Sequence, residues 1–145
     1  MLSILLTVLI GTLGGVAVGL QGPIAAQMSR RVGSAASSFV VHVSGAVLSG
    51  ALLLMRGGET IRNWRSLSWY MLGSGFFGVV LYLTINHTMP RLGATTALAL
   101  IIIGQLAMGI LIDHFGLFGT AIRQLDARRV AGLLLLMIGG YFVIR

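Results

Sequence analysis

The chain has 145 residues, of which 57% are hydrophobic and 9% charged, with a net charge of +7 and no cysteine. A soluble chain of this size carries about a quarter charged residues, so an ordinary soluble domain is excluded and a membrane protein is indicated. The ten basic residues are all arginines placed between apolar stretches, as topology determinants are, which excludes nucleic acid as the partner. The length suits one transmembrane domain, residues 1–145. Without cysteine there is no disulfide and no thiolate metal site, and no cofactor or metal is expected.

A span needs about 20 apolar residues. Five helices are expected, over residues 2–21, 35–55, 69–87, 93–114 and 130–144. The first has no basic n-region and a run longer than the apolar region of a signal peptide, so it reads as a span. Pro23, just after it, either kinks the helix or ends it. Trp64, Trp69 and Tyr70 open the third span as an interfacial aromatic belt. The fifth is short, with Arg129 and Arg145 at its ends, where long side chains snorkel to the headgroups.

Five spans place Arg56, Arg62, Arg65, Arg123, Arg128 and Arg129 on one side, and Arg30, Arg31, Arg91 and Arg145 on the other. Six against four is a weak bias under the positive-inside rule. It slightly favours an internal N-terminus and also permits both orientations, or a partner of opposite orientation. Arg31-Val-Gly-Ser-Ala-Ala36 resembles Arg91-Leu-Gly-Ala-Thr-Thr96 sixty residues later. This suggests two similar helical hairpins and a fifth helix.

In the first helix Gly11, Gly15 and Gly19 repeat every four residues. That spacing lets helix backbones approach closely, within the chain or at a dimer seam. The second helix carries a small polar face of Ser34, Ser38, His42, Ala46 and Gly50. His42 is a ligand group, a proton carrier or an interhelical hydrogen bonder. Tyr82 and Asn86 lie on one stripe of the third helix, and contact either substrate or neighbouring helices. In the fourth, Gln105, Gly109 and Asp113 share a broad face that drifts by about 80° and runs about 12 Å along the axis. Asp113 is the only acid on an apolar segment, since Glu59 and Asp126 sit in connections. Polar groups at membrane depth are costly and usually face a bundle interior or a water-filled path. The plainer role for Asp113 is an interfacial carboxylate paired with Arg123, Arg128 or a headgroup.

The run from Gly104-Gln105 through Ile112-Asp-His-Phe-Gly-Leu-Phe-Gly119 resembles the signature of the YdcZ-like branch of the drug/metabolite transporter superfamily. Leu20-Gln-Gly-Pro-Ile-Ala-Ala-Gln27 with Arg31-Val-Gly33 is similar to that branch's first helix and loop, and Gly93-Ala-Thr-Thr-Ala-Leu-Ala99 to the start of its fourth helix. The resemblance covers essentially the whole chain. It implies an all-α, half-size, five-helix transporter of the bacterial inner membrane. In that family single genes, oppositely oriented pairs and fused two-domain forms occur, which fits an antiparallel dimer. The related small multidrug transporters carry a glutamate in their first helix. Here Gln21 is that helix's main polar residue, so proton-coupled export of cations is not carried over, and Asp113 is no positional substitute.

The expected function is small-molecule transport by alternating access between inverted copies of the chain, or between the chain and an oppositely oriented paralogue. Gln105 is the first expected substrate contact, with Tyr82, Asn86, His42 and Gln21. Asp113 with His114 is expected to gate or to couple protons. A small dual-topology channel and an accessory membrane subunit are the alternatives. An enzyme is not expected, because the histidines and Asp113 lie at scattered depths.

Overall fold

The computed structural model describes residues 2–144, so Arg145, placed above at the end of the last span, lies outside the described residues. Every regular element among them is helical: α1 (Leu2–Val32), α2 (Ser34–Met55), α3 (Trp69–Leu72), α4 (Gly75–Leu92), α5 (Ala94–Phe115) and α6 (Ala127–Ile144), with short 3-10 turns at Ile61–Ser66 and Leu117–Gly119.

Among the described residues, four helical stretches are long and apolar enough to cross a membrane: Ser3–Val32, Ser34–Met55, Trp69–Leu92 and Ala94–Phe115. The expected fifth span, α6, is not among them. Its first turn carries Arg128 and Arg129, which leaves fifteen residues, 130–144, as its apolar run. That is short of the 20 or so that a bilayer core requires.

Two boundaries differ from the sequence reading. The first helix does not end at Gln21 but runs through Pro23 to Val32. A proline inside a helix removes one backbone hydrogen bond, here to the Gly19 carbonyl. The helix continues because Ala25 and Ala26, at 1% and 2% exposure, pack into the core of their unit. The third span is interrupted at Gly73 and Ser74, which separate α3 from α4, and it continues past His87 to Leu92.

The chain divides into two compact units, Met1–His87 and Thr88–Arg145. In the first, α1 packs on α2. Its core holds Gly22, Ala25, Ala26, Ser37 and Ser38, with Tyr82, Ile85 and Asn86 of α4. Small side chains bring backbones close where no hydrophobic force separates protein from lipid. The first half of α1 is different, because residues 3–18 are all exposed. A Cβ at Gly11, Gly14, Gly15 or Gly19 would meet no atom within 4 Å. The glycine face therefore does not serve packing within its own unit. In the second unit α5 packs on α6. A Cβ at Gly140 would stand 2.8 Å from Ile103 Cδ1, so α6 approaches α5 closely there.

The two similar hexapeptides adopt one backbone. Gly33 (φ 87, ψ 156) and Gly93 (φ 81, ψ 163) each form a single-residue break between helices. Gly33 N–H donates to the Ser29 carbonyl and Ser37 N–H to the Gly33 carbonyl; Gly93 N–H donates to Met89 and Ala97 N–H to Gly93. The burial pattern repeats with the same offset: Gly22, Ala25, Ala26 and Ser37 are buried, as are Tyr82, Ile85, Asn86 and Ala97. Positive φ with ψ near 160° is open essentially to glycine alone. Because a Cβ at either position meets nothing within 4 Å, the penalty for alanine is conformational. Gly33→Ala and Gly93→Ala are each expected to destabilise the protein by about 1–3 kcal/mol. Heat unfolding in detergent measures this, and an unchanged midpoint for both would refute the shared-turn reading.

Candidate functional site

In the first unit a cleft of about 370 Å³ opens between α1, α2 and α4. Gln21 comes from α1, His42 and Gly45 from α2, and Gly78 and Tyr82 from α4. Three of the five expected contact residues, Gln21, His42 and Tyr82, thus line one cavity.

The polar groups of this cleft are individually oriented. Ser37 Oγ donates to the Ala25 carbonyl at 3.3 Å and lies 2.7 Å from the Tyr82 hydroxyl. With Ser37's one hydrogen so used, Tyr82 is the donor in their shared bond. His42 Nδ1 lies 2.7 Å from the Ser38 carbonyl. A carbonyl can only accept, so Nδ1 carries the proton and Nε2 of the neutral ring is left as an acceptor. A Cβ at Gly78 would come within 3.2 Å of that Nε2, so the bare glycine gives it room. The imidazole meets Tyr82 edge to face, with centroids 6.0 Å apart. Ser37 and Gly78 complete the arrangement. Neither is singled out as a contact by the sequence, where their only signal is their place on small-residue faces.

Asn86 lies one turn beyond Tyr82 on α4. It does not line the cleft; it is 6% exposed, and among the described residues neither its Oδ1 nor its Nδ2 has a hydrogen-bond partner. Pro90, four residues on, has no N–H to give the Asn86 carbonyl. Buried polar groups are nearly always paired, and an unpaired one calls for a physical reason.

The other expected residues belong to the second unit. Gln105, Gly109 and Asp113 of α5 line a separate groove of about 360 Å³, with Arg129, Gly132 and Leu136 of α6. Asp113 Oδ2 accepts from Arg129 Nη1 at 3.1 Å. The plainer sequence reading pairs Asp113 with Arg123, Arg128 or a headgroup; the structure pairs it with Arg129. Arg123 instead contributes its backbone N–H, bonded to the Asp113 carbonyl at 2.8 Å. His114 Nδ1 accepts from Leu125 N–H at 3.3 Å. Both residues thus fasten the connection after α5 back onto its end. Among the described residues no cluster of histidine and acidic side chains could hold a metal ion.

The family model described as "Putative inner membrane exporter, YdcZ" matches residues 6–142. No curated protein and no solved structure matches the chain. The match takes in the glycine face of α1, both Arg-x-Gly turns, the cleft and the groove, and it agrees with the four helices among the described residues that are apolar enough to cross a bilayer. The chain therefore belongs to the YdcZ family of the drug/metabolite transporters, multi-pass transport proteins of the inner membrane.

Proposed function

We propose that the protein exports a small molecule by alternating access as an inverted dimer, with the cleft between α1, α2 and α4 as its substrate path. The observation that carries this reading is the convergence of Gln21, His42 and Tyr82, from three helices, on one cavity. Polar side chains that converge on an otherwise apolar pocket are the usual form of a small-molecule site. The groups offered are a carboxamide, a phenol and an imidazole acceptor, with no formal charge in the neutral form. They suit a substrate that presents hydrogen-bond donors rather than a fixed charge.

In this reading the chain is one transmembrane domain and α6 is a fifth, short span, its arginines held at the interface. The face of exposed Gly11 and Gly15 and half-buried Gly19 forms the seam with the inverted partner, either a second copy or a paralogue. Gln105 contacts substrate in the other groove, and Asp113 with His114 gates the end of α5. Repeated helical hairpins that rock about a site near the midplane are a common transporter architecture.

A cysteine scan tests the path without background, because the chain has no cysteine. Cysteines at Gln21, His42 and Tyr82 are expected to react with a membrane-impermeant thiol reagent in intact or inverted vesicles. Cysteines at exposed apolar positions such as Leu20 and Phe39 are expected not to react. If all three cleft positions resist the reagent from both sides, the cleft is not the path.

A further inference from the structure

The pair formed by Asp113 and Arg129 closes one end of an apolar groove and leaves hydrogen-bonding capacity unused on both partners. A guanidinium has five N–H donors, and the Arg129 side chain gives Asp113 one of them, from Nη1. Among the described residues Asp113 Oδ1 accepts no hydrogen bond. The side chains are 29% and 37% exposed, so they face outward into the groove and are not sealed in the helix interface. Leu106 and Ile110 of α5 and Leu133 and Leu136 of α6 form its walls. Gly109 and Gly132 keep the floor open, since a Cβ at either would meet nothing within 4 Å. The volume of about 360 Å³ lies at the small end of the range for ligand pockets, about 300–1,000 Å³.

We infer that this groove binds an amphipathic zwitterion, a primary ammonium close to an anionic group on an apolar body. A simple anion drawn to Arg129 is repelled by Asp113 beside it, and a simple cation drawn to Asp113 is repelled by Arg129. Only a matched dipole gains at both charges: its anion takes the spare guanidinium N–H groups while its ammonium donates to Asp113 Oδ1. Charge-assisted hydrogen bonds of this kind are stronger than neutral ones. The apolar body then lies along the leucine walls toward Gln105, which stands about 12 Å from Asp113 along the helix axis. Two sources offer this chemistry, a bilayer aminophospholipid and a free amphipathic amino acid. The inference does not depend on the cleft of the first unit carrying substrate.

Heat unfolding of the purified protein in detergent tests it without any transport assay. The probes are phosphatidylethanolamine, phosphatidylcholine and phosphatidylglycerol in mixed micelles, and 2-aminooctanoate, octanoate and octylamine in solution. Phosphatidylethanolamine or 2-aminooctanoate is expected to raise the midpoint by about 5 °C at roughly ten times its Kd. Phosphatidylcholine cannot donate a hydrogen bond from its head, and phosphatidylglycerol, octanoate and octylamine each lack one half of the dipole; none is expected to match it. A shift with the lipid alone identifies the bilayer as the source, and one with 2-aminooctanoate alone a soluble ligand. Asp113→Asn and Arg129→Gln, checked for retained helicity, are expected to abolish the shift. An equal response to phosphatidylglycerol, an equal response to octanoate or octylamine, or no response to either zwitterion overturns the proposal on the wild-type protein alone. So does an undiminished shift in Asp113→Asn.

Discussion

Asn86→Leu is expected to raise the unfolding temperature and abolish export in the same molecule. The carboxamide is 6% exposed, with neither polar atom paired among the described residues. A buried polar group without partners costs about 1–3 kcal/mol, and leucine of similar size removes that penalty without opening a cavity. A gain of about 1 kcal/mol corresponds to a rise of roughly 2–4 °C for a chain of this size. If Asn86 is kept because it bonds substrate after the Tyr82–Ser37 contact yields, the leucine variant holds its fold and loses that step. Export is read from the extracellular compounds that accumulate when the wild-type chain is overproduced, and a fall of tenfold or more is expected, about 1.4 kcal/mol of lost interaction. A large fall in unfolding temperature would show that Asn86 supports the fold, and undiminished export would remove it from the path. A mutation that stabilises and inactivates together separates a binding role from misfolding.

Asn86 also marks how far periodicity reaches. The four-residue stripe through Gly78, Tyr82 and Asn86 sets them on one face of α4. It does not reveal that Tyr82 is paired and Asn86 is not, because Tyr82's partner, Ser37, lies 45 residues away. The apolar helices α2 and α5 were legible to within a residue, since glycines of positive φ, Gly33 and Gly93, open them and Gly116 closes α5. The extension of α1 was not. Gln21, Pro23, Gln27, Arg30 and Arg31 read locally as a connection, and the helix persists through burial of Ala25 and Ala26, which is tertiary. Asp113 was legible as the one acid on an apolar helix. Its partner was not, because three arginines follow and the backbone between Gly116 and Asp126 decides which of them reaches it. Here Arg123 is held by its own N–H and Arg129 presents its guanidinium.

Locking the orientation of the chain is expected to abolish export, and mixing two oppositely locked versions to restore it. Six arginines fall on one side of the expected topology and four on the other, a bias small enough for both orientations to insert. Arg30→Ala with Arg31→Ala leaves six against two. Arg56→Ala, Arg62→Ala, Arg65→Ala and Arg123→Ala leave two against four. The second set gives up an exposed Arg56–Glu59 ion pair and the stacking of Arg65 on Trp64; an exposed ion pair contributes less than about 1 kcal/mol. A C-terminal reporter active on both sides of the membrane for the wild type, and on one side only for each locked version, establishes the orientations. Each locked version alone is then expected to export at background level, and co-expression to recover a large part of wild-type export. The face of Gly11, Gly15 and Gly19 supplies the matching control, because leucine at Gly15 should weaken pairing without altering orientation. A wild-type reporter on one side only would assign the partner role to a paralogue. Full export from either locked version alone would exclude inverted pairing, since every copy would then face the same way.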